Sequence, residues 1–463
     1  MKTRTETDSM GPMEVPADAL YGASTARAVE NFPISGWTMP REFIAALGAI
    51  KLACAEVNKK AKRLPADIAD AIVAAAKEVM DGKLDEHFPV DVFQTGSGTS
   101  TNTNANEVIA NRANQLLAER GNTHRAHPND HVNMCQSSND VIPATIHVAA
   151  YIAIRDFLKP PFGILVQELD SHSREFDAVV KIGRTHLMDA VPIRLGQEFA
   201  GYTAQAKWVS DRVTDAILLL WELPIGGTAV GTGLNAPKDF GQEVCHRLTV
   251  HIPGQWREAD NHFAAQAAKD AVVYTSGVLR TAAIALGKIA SDIRLMGSGP
   301  RCGIGELILP ATQPGSSMMP GKVNPVICES VIQVACQVVG CDAAITAGAT
   351  GGVGSILELN VAMPMIAWNL LTSIRLLANA ARVLEEKCIR GLKANEARCK
   401  ELVEQSLAMI TVLAPRIGYD VAAAIAKEAH ATGKTIREIC LEKKLLPAKE
   451  LASLLDPRKQ TGK

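Results

Sequence analysis

Residues Gly315-Ser-Ser-Met-Met-Pro-Gly-Lys-Val-Asn324 put two hydroxyls, one ammonium and one amide into ten positions. Gly315, Pro320 and Gly321 keep the stretch from being ordinary helix, and Pro314 and Pro325 bracket it. It reads as an exposed loop between two apolar helices, carrying polar chemistry. It is not a phosphate-binding loop. Five residues separate Gly315 from Gly321 where that motif has four, and Val323 stands where Ser or Thr holds magnesium.

Three other segments set small donors beside glycine or a turn: Ser97-Gly-Thr99, Ser137-Ser-Asn139 and Thr185-His186. Taken singly, each has a structural explanation. Ser137-Ser-Asn-Asp140 precedes a helix and suits an N-cap, Thr99 suits another, and Arg184 with Asp189 suits an ion pair. Taken together, neutral donors plus the single ammonium of Lys322 fit a small carboxylate better than a polyphosphate. The glycine runs 226–233 and 348–354 follow helical stretches, not strands, so they read as turns and not as dinucleotide sites.

The elements that position these loops are helical. Ala-rich periodic segments cover 42–60 and 65–81, and Ile109, Ala113, Leu116 and Leu117 mark another helix face. From about 139 onward long apolar-periodic stretches dominate, including 265–296 and 326–347, which imply a bundle of long helices. Pro160-Pro161 should kink or break one of them. Residues 1–40 read as largely irregular, with helix possible over 21–31, and 458–463 as a frayed polar tail. The expected class is mainly α in three parts: 1–137, 138–393 and 394–463.

Composition narrows the partners. The 463 residues carry 48 basic and 49 acidic side chains, which gives no bulk charge for nucleic acid or a membrane surface. No uninterrupted run of about 18 apolar residues is present, so no membrane span is expected. The ten cysteines form no CxxC pair, and no His cluster has metal-ligand spacing. Reduced thiols and no signal peptide point to a cytoplasmic protein.

In order along the chain, the motifs at 94–99, 104–112, 127–130, 136–140, 181–186, 226–235, 299–305, 315–324 and 357–361 resemble those of the class II fumarate hydratase family. That family belongs to the fumarase/aspartase superfamily, whose GSSxMPxKxN motif is intact at 315–324. The resemblance spans essentially the whole chain. His186, and Gly96-Ser-Gly-Thr99, favour this branch over aspartate ammonia-lyase, which carries Gln and Gly-Ala-Gly-Thr there. Met188, Gln313 and His124 depart from the residues common in the family, Gln, Glu and Arg respectively.

The resemblance implies a fumarase/aspartase-like fold with a central long-helix bundle. It implies reversible hydration of fumarate to L-malate, a tricarboxylic acid cycle reaction, through an aci-carboxylate intermediate. Ser316 would be the base, His186 would handle the water, and Glu329 would orient His186. Ser97, Gly98, Thr99, Ser137, Ser138, Asn139, Thr185, Ser317, Lys322, Val323 and Asn324 would bind substrate. His127, Pro128, Asn129 and Asp130 would form a second dicarboxylate site, a helix-capping turn being the alternative. No metal or organic cofactor is implied. The family assembles as homotetramers whose active sites draw on three subunits. An aspartate ammonia-lyase, or a catalytically silent relative, are the alternatives.

Overall fold

The computed structural model describes residues 2–462. In chain order, strands β1 (Thr3–Asp8) and β2 (Gly11–Pro16) precede α1 (Ala23–Asn31), α2 (Arg41–Lys60), α3 (Ala66–Met80), α4 (Thr99–Glu119), α5 (Ser138–Ala153) and α6 (Lys159–Glu175). Then come β3 (Val180–Thr185), β4 (Met188–Arg194), α7 (Leu195–Leu220), α8 (Phe240–His251), α9 (His262–Ala267) and α10 (Asp270–Met296). α11 (Val326–Ala349), α12 (Met363–Leu384) and α13 (Glu396–Gln405) follow, and short helices complete the chain. The remaining strands are two-residue pairings, so the protein is mainly α, as the sequence predicts.

The chain divides into two compact units. One comprises residues 1–160, 211–281 and 336–377. In it the Ala-rich α2, buried along most of its length, packs on α3, α5 and α8. Small side chains at Ala46, Ala49, Ala53, Ala69, Ala75 and Ala76 let these helices approach closely. Glu107 of α4 is buried beneath the start of α1 and accepts from the Gly22 and Thr25 amides at 2.8 and 3.2 Å. Gly22 has no side chain to cap α1, so this carboxylate takes over.

The first 40 residues are more ordered than expected. β1 and β2 form an antiparallel hairpin, with Thr3 opposite Pro16. Their sequences, TRTETD and GPMEVP, lack an apolar alternation that would announce strands. Arg4 compensates by donating to the Pro16, Ala19 and Tyr21 carbonyls. The expected helix from 265 is also corrected: it breaks at Ala268-Lys269, between α9 and α10.

Near the Pro160-Pro161 pair the chain remains helical. Neither proline can donate to the carbonyl four residues back. A π-turn at Ile154–Leu158 widens the helix just upstream and absorbs the mismatch. Ser138–Ala178, Asp270–Met296 and Val326–Ala349 are long and apolar enough, by length and composition alone, to cross a membrane. No uninterrupted apolar run appears in them because isolated polar residues dilute these stretches without making them hydrophilic.

The second unit comprises residues 161–210, 282–335 and 378–463. Ile182, Val403, Met409, Leu413, Ile425, Ile436 and Leu451 form a core cluster in it. The tail is not frayed as far as Thr461, which is buried and accepts from Gln197 Nε2 at 2.8 Å. Lys463 lies outside the described residues.

Candidate active site

The loop 315–324 is closed at its neck. The Gly315 amide donates to the Lys322 carbonyl at 2.8 Å, and Asn324 Nδ2 donates to the Gly315 carbonyl at 2.7 Å. A Cβ at Gly315 would lie 2.6 Å from the Lys322 carbonyl oxygen, so this crossing requires glycine. Within the loop, Ser316 Oγ accepts from the Met318 and Met319 amides at 3.1 and 2.9 Å. Two N–H donors aimed at one hydroxyl oxygen stabilise its ionised form. Ser317, Met318, Lys322 and Val323 are exposed.

Beside the loop lies a cleft of about 730 Å³, lined by Asp292, Arg294, Ser298, Lys322, Val323 and Asn324 among others. Arg294 adds a second cation that sequence reading missed. It sits in the last turn of α10, where basic residues commonly serve the helix dipole, so its position marks nothing.

His186 stands at the tip of the β3–β4 hairpin. Thr185 pairs with Met188, leaving His186 and Leu187 as a two-residue turn with φ of 57° and 60°. Such turns favour Asn-Gly; each non-glycine left-handed residue costs on the order of 1 kcal/mol. The His186 imidazole is therefore presented to solvent on a strained but short-tethered tip. Among the described residues no hydrogen bond or ion pair engages its ring, nor the Glu329 carboxylate in the first turn of α11.

The hairpin is anchored from behind. Glu306, fully buried, accepts from Arg184 Nη1 at 2.9 Å and pairs with Lys181 at 3.2 Å. Lys181 also reaches Glu198 at 2.8 Å. The expected Arg184–Asp189 ion pair is thus replaced: these residues face each other across the hairpin, but the Arg184 guanidinium turns to Glu306.

In the first unit, hydroxyls gather at the starts of α4 and α5. Ser97 Oγ lies 2.7 Å from Thr99 Oγ1, which lies 2.8 Å from Ser138 Oγ. Gly98 takes the N-cap position of α4 at φ 74°, and Thr99 follows it, so Thr99 is not the cap. Ser137 does cap α5, in a reciprocal box with Asp140. Asn139 donates to the Ala229 carbonyl at 2.8 Å.

Asp140 does more than close that box. Its other oxygen accepts from the Gly226 and Thr228 amides at 3.1 and 2.9 Å, so the glycine run 226–233 is a turn held against α5. Burial pushes the Asp140 carboxyl up, against these donors. Lys51 of α2, also buried, donates to Asn133 and Gln136 at 2.9 and 3.0 Å, and burial pulls its ammonium down. Lys51 is a further residue missed from the sequence, where it is one lysine in an Ala-rich helix.

His127 caps a short π-turn, Pro128–Val132, accepting from the Asp130 amide at 3.1 Å. His127, Asn129 and Asp130 are exposed. His124, in the place of the family's usual arginine, is tied to Asp67 at 2.6 Å. No group of three or more His, Cys, Asp or Glu side chains among the described residues is placed to hold a metal.

A family model described as "Lyase" matches residues 11–340, and one described as "Fumarase C C-terminus" matches 409–462. The class II fumarate hydratase of Halobacterium salinarum is 53% identical over 458 residues, covering 99% of this chain and 97% of that protein. Fumarate hydratase 1, mitochondrial, of Arabidopsis thaliana is 48% identical over 461 residues, covering 99% of this chain and 93% of that protein. The crystal structure of class II fumarase from Schistosoma mansoni superposes with a TM-score of 0.94 at 39% identity, covering 99% of both chains. Full-length similarity of this order, with the loop motif intact, settles the family: this chain belongs to the class II fumarate hydratases, within the fumarase/aspartase fold.

Proposed function

We propose that the protein hydrates fumarate reversibly to L-malate, with Ser316 and His186 as its proton-transfer groups. The observation that carries the residue assignment is Ser316 Oγ facing two backbone amides in a loop that also holds Lys322. A free serine is too weak a base at neutral pH; the two donors and the nearby ammonium favour its alkoxide.

In the dehydration direction, Ser316 takes the proton from the carbon next to a carboxylate. The electron pair moves into that carboxylate, forming the aci-carboxylate dianion, whose charge Lys322 and Asn324 balance. The pair then returns to form the double bond as the C–O bond breaks. His186 gives the departing hydroxyl its proton, and water leaves. Glu329 orients His186. Ser97, Thr99, Ser138, Asn139 and Thr185 hold the other carboxylate and the water.

The reading includes a homotetramer in which loops from three subunits make each site, so that His186 and Glu329 meet from different copies. It also includes a cytoplasmic location, a three-part chain divided near 137 and 393, and a dicarboxylate at 127–130. The deciding experiment follows the loss of fumarate's ultraviolet absorbance with pure protein, and ammonia release from aspartate with the same preparation. Hydration without ammonia release supports the proposal; ammonia release moves the protein to the ammonia-lyases, and neither activity marks a silent relative.

A further inference from the structure

Two thiols that the proton-transfer scheme does not use lie directly behind the loop. Cys328 is in the first turn of α11, one residue before Glu329. Cys388 is in the π-turn Glu385–Ile389 that follows α12. Both are buried, and their sulfurs stand 3.8 Å apart. We propose that this pair is a peroxide-sensitive dithiol whose disulfide disables the 315–324 loop.

The surroundings favour the chemistry. The hydrogen bond from Cys388 holds the Cys328 thiol below its usual value, and Arg294 adds to the effect. The same bond, with burial, pushes Cys388 up, so Cys328 is the attacking sulfur and Cys388 the resolving one. A small cavity of about 10 Å³ is lined by both cysteines together with Leu309, Asn324, Pro325 and Val326. A cavity this small excludes a bulky disulfide such as oxidised glutathione and leaves only a small oxidant such as hydrogen peroxide as a candidate.

Cys328 thiolate attacks one peroxide oxygen. The O–O bond breaks, and the leaving hydroxide takes up the proton that the Cys328 thiol released on ionising, forming water. Cys388 then attacks the sulfenic sulfur, the S–O bond breaks, and the hydroxyl leaves with the Cys388 proton as a second water. The two sulfurs lose two electrons and the peroxide gains them.

The bond requires movement. A disulfide closes to about 2.0 Å, so the sulfurs must approach by about 1.8 Å. The π-turn is braced, because His172 Nε2 donates to the Ile389 carbonyl at 2.7 Å and Arg390 pairs with Glu385. The start of α11 therefore takes up the shift. Pro325 and Asn324 precede it directly, and Asn324 is the residue that closes the loop neck on Gly315.

The test uses full-length protein carrying Cys302→Ser and Cys336→Ser, which removes the two exposed thiols. After hydrogen peroxide, non-reducing peptide mapping should join the Cys328 and Cys388 peptides with loss of two hydrogens. Hydration activity should fall by about 10²-fold, the scale of an ångström-level misplacement, and dithiothreitol should restore it. Oxidised glutathione should do neither. Adding Cys388→Ser should abolish the link and the reversible inactivation while leaving activity before oxidation unchanged. Absence of the joined peptides overturns the proposal, and mapping alone decides this if the Cys388→Ser protein does not fold. A link with unchanged activity overturns its control of the loop. The activity arm rests on the hydratase reading; a protein inactive before oxidation would defeat that reading while the mass measurement still judged the dithiol.

Discussion

Asn324 holds Gly315 across the neck of the loop, side-chain amide to backbone carbonyl, at 2.7 Å. The ten-residue segment is thus a closed ring with Ser316 next to its neck and Lys322 on its returning side. The backbones of Ser316 and Lys322 are thereby tied into one ring, although residues 317–323 are exposed.

The tightness of that crossing gives the first prediction. In Gly315→Ala the added methyl would lie 2.6 Å from the Lys322 carbonyl oxygen and 2.7 Å from the Asn324 nitrogen, both backbone atoms that cannot swing aside. The neck opens and the Ser316–Lys322 geometry is lost. Steady-state kinetics should show kcat/KM lower by about 10²-fold, while far-ultraviolet circular dichroism and thermal midpoint change little.

Ser316→Ala and His186→Asn test the two proton-transfer roles separately. Each should lower kcat by about 10²-fold or more, the usual contribution of one acid or base. Near-native turnover in both variants would remove the assigned roles.

Much of this site was legible because its chemistry is local in sequence. Ser316, Lys322 and Asn324 lie within one loop, and Ser137 caps α5 as its neighbours suggest. What escaped was non-local. Arg184 has an acidic residue five positions on, yet its partner is Glu306, more than a hundred residues away. Cys328 and Cys388 are 60 residues apart in sequence, and nothing in either helix marks them as neighbours. The β1–β2 hairpin escaped for another reason: Arg4 and its carbonyl partners, not an apolar face, hold it.

Glu306 carries the next prediction. It is buried between Lys181 and Arg184, and its removal leaves the Arg184 guanidinium without its carboxylate and Lys181 with Glu198 alone. Breaking a buried ion cluster on one side costs about 3–5 kcal/mol. Glu306→Leu should lower the urea midpoint accordingly. Since Arg184 directly precedes Thr185 and His186, activity should fall further than loss of folded protein explains. Glu306→Asp should recover part of both.

Acid stability offers a test independent of the site. Burial holds the His147 imidazole down at about 4, although its Nδ1 donates to the Glu222 carbonyl at 2.8 Å. In the unfolded chain it titrates near about 6.5. Between these values the unfolded state binds a proton that the folded state refuses, so stability is fully present above the unfolded value and drains away as pH falls toward 4. Urea unfolding at a series of pH values across that window should show the wild-type midpoint dropping. In His147→Gln, whose amide can still donate to Glu222 but takes no proton, the drop should be smaller. Equal slopes for the two proteins would show that other groups, not His147, set the acid limit.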